Sequence, residues 1–221
     1  MTPPVRYKST ADYATAEIRR LILSGELPAG ARVDQVELAS QLDVSRHPVR
    51  QAIDRLGERG FIVIHPHKSA VVAEISTADM EELYRARRVV EEWAIRESWS
   101  RSMPVTERDV AASFKMLEAT DPKTNLDSYM MANRVFHLAM YQGCGNRHML
   151  RTITSLFDLS ERYQRAGLVH PTRQAQSQRD HRAMMEAIAS GDGDQLLSLV
   201  ISHNDGTQAT VRAHHGRIAR T

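Results

Sequence analysis

From Glu74 to the C-terminus the sequence shows no strand signal: apolar residues recur at three- and four-residue spacing between short breaks marked by Gly and Pro. That periodicity restricts most of the chain to helices that must bury their apolar stripes against one another. Helices are expected at 77–100, 105–119, 124–142, 146–166, 173–190 and 194–213. The breaks between them are Met103-Pro104, Asp121-Pro122, Gly143-Cys144-Gly145, Gly167 to Pro171 and Gly191-Asp192-Gly193. The expected result is an all-α antiparallel bundle. The aromatic and sulfur side chains Trp93, Phe114, Met116, Met130, Met131, Phe136 and Met140 read as its core rather than as a ligand box.

The first third is patterned differently. A helix is expected from Ser9 to Leu23, ended at Gly25, and a short second one starts near Asp34 and carries Val36, Leu38, Ala39 and Leu42. Asp43-Val44 is a tight break, after which Ser45 offers an N-cap for a third helix through about Arg59. The apolar residues of that helix, Val49, Ala52, Ile53 and Leu56, fall at i, i+3, i+4 and i+7. Phe61-Ile62-Val63-Ile64 and Ala70-Val71-Val72-Ala73 then read as a two-stranded hairpin around His65 to Ser69. The fold class is therefore mainly α. A three-helix module with a β-hairpin occupies 1–73, a helical bundle 77–213 and a short tail 214–221.

Composition narrows the function classes. At 42% hydrophobic and 25% charged residues the chain has ordinary globular composition, and no apolar run approaches the roughly 20 residues that cross a bilayer. The single cysteine, Cys144, excludes an internal disulfide and fits a reducing cytoplasm. Net charge of +2 is uninformative alone, but its placement is not. The first 73 residues carry ten Lys/Arg against eight Asp/Glu, and the remainder carries nineteen of each.

The second and third helices, separated by a minimal turn, form a helix-turn-helix candidate. If Val49 and Ile53 face inward, Arg46, His47 and Arg50 stand exposed at the N-terminal end of the third helix, the part of such a motif that reaches base edges in a major groove. An Arg fork can address guanine O6 and N7 together. The hairpin can lay His65, His67 and Lys68 along a flanking groove or phosphate row. The plainer alternative is a helical hairpin whose arginines are merely solvated.

In the bundle, spacing singles out a few of the ten histidines. Asn133 and His137 are one turn apart on one face. His181 and His203 flank the break at Asp192 symmetrically, so antiparallel helices joined there bring both imidazoles to one level. Any one of these histidines is most simply a hydrogen-bonded core residue. Three converging imidazoles, however, suit a divalent transition ion, zinc or nickel, with an open position. Such an ion keeps its positive charge, and a carboxylate ligand completes its shell.

The N-terminal segment resembles the winged helix-turn-helix of GntR-family bacterial transcription regulators. The resemblance rests on Ile22 to Gly30, Leu38-Ala39, Val44-Ser45-Arg46-His47-Pro48-Val49-Arg50-Gln51-Ala52-Ile53 and Leu56 to Gly60. It implies double-stranded DNA as partner, contacts from Ser45, Arg46, His47 and Arg50, and a wing tip with His67 and Lys68 entering the minor groove. His47 stands where that family usually has a small hydroxyl residue, and Lys68-Ser69 where a basic residue and glycine are common. Residues 77–213 resemble the FCD domain of the FadR subgroup. The matching pieces are Leu83-Tyr84 with Arg87 and Glu91, Asn133, Phe136-His137, Gly145-Asn146, Asp180-His181, Ala187-Ile188, Gly191-Asp192 and His203. This implies a metal site of Asn133, His137, His181 and His203, with asparagine where the family often has aspartate. It also implies a pocket arginine at Arg87 that clamps a second carboxylate of the effector in fork fashion, although as an i, i+4 neighbour of Glu91 it could equally pair with it on a solvated face. Arg134 is a weaker pocket candidate.

The expected function is that of a cytoplasmic homodimeric regulator, not an enzyme, that reads an inverted-repeat operator under control of a small organic acid. The segment around Ala73 to Thr77 is the expected hinge. Two rivals stand beside it: a metal-dependent hydrolase with an autoregulatory DNA-binding module, and a sensor of the metal itself.

Overall fold

A computed structural model describes residues 9–65, 69–101 and 104–215, and the chain divides into two compact units at Ile75/Ser76. In the first unit, α1 (Thr10–Ser24) is capped by Ser9, whose hydroxyl accepts the Asp12 N–H, and ends at Gly25 with φ of 80°. Helix α2 (Gln35–Gln41) is capped by Asp34, whose Oδ1 accepts the N–H groups of Val36 and Glu37. The turn to α3 (Arg46–Glu58) passes through Asp43 in the left-handed region, and the Val44 N–H closes it on the Ala39 carbonyl. Ser45 occupies the N-cap position of α3, but its side chain makes no capping hydrogen bond.

The expected hairpin is present as β2 (Ile62–Ile64) and β3 (Ala70–Val72), paired antiparallel with Ile62 opposite Val72 and Ile64 opposite Ala70. A further strand, β1 (Arg32–Val33), pairs with the other edge of β3, so the sheet order is β1-β3-β2. Two residues are too few for alternation to register, which is why periodicity missed it. Ile18, Leu21, Leu38, Val49, Ala52, Ile53, Leu56, Phe61, Ile62 and Val72 form the core, and α1 packs on α3. The unit is a winged helix-turn-helix.

The second unit is helical throughout its described residues. Its helices are α4 (Thr77–Ser100), α5 (Pro104–Glu118), α6 (Leu126–Tyr141), α7 (Arg147–Leu168), α8 (Pro171–Ala189) and α9 (Gly193–His215), with a 3₁₀ turn at Gln142–Cys144. Ser76, Asn125 and Asn146 cap α4, α6 and α7 through their side-chain oxygens. Pro104 and Pro171, read from sequence as parts of breaks, instead open α5 and α8, because a first-turn residue needs no N–H. Gly193 opens α9 against the Trp99 ring, where an added Cβ would come within 2.8 Å. Trp99 also donates its indole N–H to the Gly191 carbonyl.

Helix α4 packs on α7 and α9, and α8 on α9, around Tyr129, Phe136, Met140, Tyr141, Ile153 and Met184. Three residues expected in this core are not there: Trp93, Met116 and Met131 lie exposed. Their helices turn other faces inward, and those faces carry polar side chains that periodicity alone discounts. No helix among the described residues is long and apolar enough to cross a membrane.

Candidate functional site

In α3, Pro48, Val49, Ala52, Ile53 and Leu56 are buried, which commits one side of the helix to the core. Ser45, Arg46, His47 and Arg50 are consequently exposed together at its N-terminal end. Neither Arg46 nor Arg50 makes a salt bridge among the described residues, whereas Arg55, one turn further on, pairs with Asp12 of α1 at 2.7 Å. His65 is exposed at the end of β2; His67 and Lys68 lie outside the described residues.

The bundle brings the other candidates together. His137 from α6, His181 from α8 and His203 from α9 are all buried, and their ligand-capable nitrogens lie within 4.8 Å of one another. The Nε2 atoms of His137 and His181 are 3.1 Å apart. Burial holds all three imidazoles neutral: His181 is pushed down to about 3 by burial and by the Arg173 charge. Burial and then neighbouring positive charge hold His137 and His203 well below the usual histidine range.

Neighbours also set the ring tautomers. The His203 Nδ1 faces Asp180 Oδ2 at 2.9 Å and Arg173 Nη2 at 3.1 Å. A guanidinium can only donate and a carboxylate only accept, so an Nδ1–H on His203 satisfies the carboxylate and leaves Nε2 with its lone pair. The His181 Nδ1 lies 3.4 Å from the Tyr129 hydroxyl, which is also 3.1 Å from Ser177 Oγ. Buried against this group are two polar atoms without partners among the described residues, Asn133 Oδ1 and His137 Nδ1. Neutral nitrogen donors with a spare buried carbonyl oxygen form a donor set that fits a borderline divalent ion. An apolar purpose for the same volume would leave these atoms costly.

A narrow cleft with room for about one water adjoins the histidines, lined by Arg87, Asn133, His137, Arg173, Ser177 and His203 among others. Arg87 is 2% exposed, so it is no surface residue, yet its Glu91 pairing is real: Nε and Nη2 both donate to Glu91 Oε1, at 2.9 and 2.6 Å. Its Nη1 donates to Ser160 Oγ. Arg134 does not line the cleft. One residue past Asn133 it sits about 100° further round α6, where it pairs with Asp158 of α7 at 2.8 Å. Glu186, five residues beyond His181, is exposed and offers the histidines no general base.

Sequence reasoning gave no role to Arg173, Asp180, Tyr129, Ser177 or Ser160. A signal existed in α8, where Arg173, Ser177 and His181 recur at four-residue spacing. All three are buried, forming a polar stripe where an amphipathic helix would put apolar residues.

A fold pairing a winged helix-turn-helix with a helical bundle that encloses a histidine cluster defines a class of regulator, and direct comparison agrees. The model of the bacterial regulatory proteins of the gntR family matches residues 10–72, and that of the FCD domain matches residues 82–206. The chain belongs to the GntR family of regulators that carry an FCD domain; it is a DNA-binding transcription regulator, not an enzyme. It is 26% identical over 216 residues to the HTH-type transcriptional regulator BphR of Paraburkholderia xenovorans (strain LB400), covering 95% of this chain and 88% of that one. It is 27% identical to the Nta operon transcriptional regulator of Aminobacter aminovorans, covering 79% and 81%. In fold it is similar to E. coli McbR/YncC, with a TM-score of 0.73 at 19% identity, covering 95% of this chain and all of that one.

Proposed function

We propose that this regulator binds an inverted-repeat operator as a homodimer, reading bases through Arg46, His47 and Arg50 with Ser45 beside them, and flanking phosphates or the minor groove through His67 and Lys68. In the bundle, His137, His181 and His203 hold a divalent transition ion, zinc or nickel, and Asn133 adds a neutral carbonyl oxygen. The bound ion supplies a localised positive charge and an open position that suit the carboxylate of a small organic acid. Asp180 and Tyr129 orient the ligating rings, and Arg87 forms part of the effector cleft. The acid alters operator binding only to the extent that it prefers one state of the protein over the other.

The convergence of three buried, neutral imidazoles carries this reading; beside them His137 Nδ1 and Asn133 Oδ1 are buried without a partner among the described residues, which is unfavourable unless something binds there. Native mass spectrometry with elemental analysis of the purified full chain tests it. The expected result is a dimer with one transition ion per chain, absent from His181→Ala. A metal-free wild type that gains no mass on zinc addition would overturn it. Operator binding that responds to chelation but to no acid would replace acid sensing with metal sensing.

A further inference from the structure

Resting on that reading of the cleft as an acid site, we propose that Glu91 is a resident carboxylate occupying the Arg87 guanidinium, so that the cleft admits a ligand with one carboxylate and rejects dicarboxylates. Glu91 is thereby the specificity-determining residue.

Arg87 is fully committed. Two of its nitrogens converge on Glu91 Oε1 and the third donates to Ser160. The rings of Tyr84 and Phe157 lie 4.8 and 4.6 Å from its central carbon. The other oxygen of Glu91 is taken as well, accepting from Asn204 Nδ2 at 2.8 Å. Both partners of the pair are 2% exposed. An incoming carboxylate can therefore reach Arg87 only by displacing Glu91, itself 2% exposed, from Arg87 and Asn204, which is unfavourable.

The second buried guanidinium is equally spent. Arg173 donates to Asp180 Oδ2 at 3.2 Å, to the His203 carbonyl at 2.8 Å and to Thr207 Oγ1. Two buried cations thus face one buried anion, Glu91, and one partly buried one, Asp180, and these four charges sum to zero. The positive charge available to a ligand is that of the ion alone. The other polar groups of the lining, Asn133, Gln164, Ser177 and Thr207, are neutral. They suit hydroxyl or carbonyl groups of a small monocarboxylate. A second carboxylate would meet only guanidiniums already held by Glu91 and Asp180.

The test uses the zinc-loaded full chain, titrated calorimetrically with the monocarboxylates acetate and glycolate and the dicarboxylates malonate and succinate. Wild type is expected to bind glycolate at least about tenfold more tightly than either dicarboxylate, and Glu91→Gln to reverse that order by leaving the Arg87 charge uncompensated. The melting temperature of Glu91→Gln should rise with malonate, and the double variant Arg87→Gln/Glu91→Gln should lose the gain. The wild-type panel can still overturn the proposal even if Glu91→Gln fails to fold. Wild type binding malonate or succinate as tightly as glycolate overturns the role of Glu91 and leaves the acid site standing. Zinc-loaded wild type that binds none of the four overturns both.

Discussion

The two units of this chain use charged side chains in opposite ways. At the start of α3, Arg46 and Arg50 are exposed and have no salt-bridge partner in the described chain; inside the bundle, Arg87 and Arg173 are almost wholly buried and each is matched to a carboxylate. A guanidinium in water costs the fold nothing and remains available to an external phosphate or base edge. One in the interior must be satisfied internally before the chain can fold. Exposed arginines without such a partner are therefore free for recognition, and buried ones are tied to the internal packing of the bundle.

Breaking the interior side of this contrast should give the largest effect. Glu91→Ala leaves Arg87 uncompensated and should cost about 3–5 kcal/mol in urea unfolding of the full chain; a loss below about 1 kcal/mol would show that the pair is not dry. Acidification comes next. Histidines in the unfolded chain take up protons below about pH 6.5, while the three buried ones do not until far lower, so the metal-free protein loses stability as pH falls. Between pH 7.5 and 5.5 the loss should be about 1 kcal/mol per histidine, and a urea midpoint that held steady over that range would contradict the neutral cluster.

Asp180→Asn removes the charged acceptor of the His203 Nδ1–H and should weaken zinc binding by about 10- to 100-fold in competition with a chromogenic chelator. On the exterior, Arg46→Ala and Arg50→Ala should each cost about 1–3 kcal/mol of affinity for a duplex selected by the wild-type chain, measured by fluorescence anisotropy. Their melting temperatures should not move; a stability loss would mean that these side chains are structural. The smallest effect sharpens the contrast between two helix starts. Asp34→Ala should cost about 1 kcal/mol because its carboxylate caps α2, whereas Ser45→Ala, with no capping bond to lose, should stay within about 0.5 kcal/mol.

Much of the DNA-binding unit was legible in the sequence because its determinants are local. The spacing of Val49, Ala52, Ile53 and Leu56 orients α3, and the same spacing turns Arg46 and Arg50 outward. What escaped was β1, whose two residues acquire meaning only through the edge of β3. In the bundle, the symmetry of His181 and His203 about Asp192 marked the cluster, since an antiparallel turn converts equal spacing into equal height. The pairing of Arg87 was open because a helical i, i+4 contact looks the same in sequence whether its face meets water or α7. Arg134, paired with Asp158, and Trp93, exposed on α4, follow the same rule: residue type suggests a role, but rotation about the helix axis assigns the neighbour.

By itself, then, the order of residues determined where helices start and stop, which stripe of each is apolar, and which imidazoles share a level, all of which follow from backbone period and end-capping. Only the packed bundle decided that Glu91 and Asp180 stand against the two buried guanidiniums and that Tyr129 lies behind His181. Those contacts join residues on different helices or fix the burial of residues on one, and the low dielectric that makes them consequential does not exist until the helices close around them.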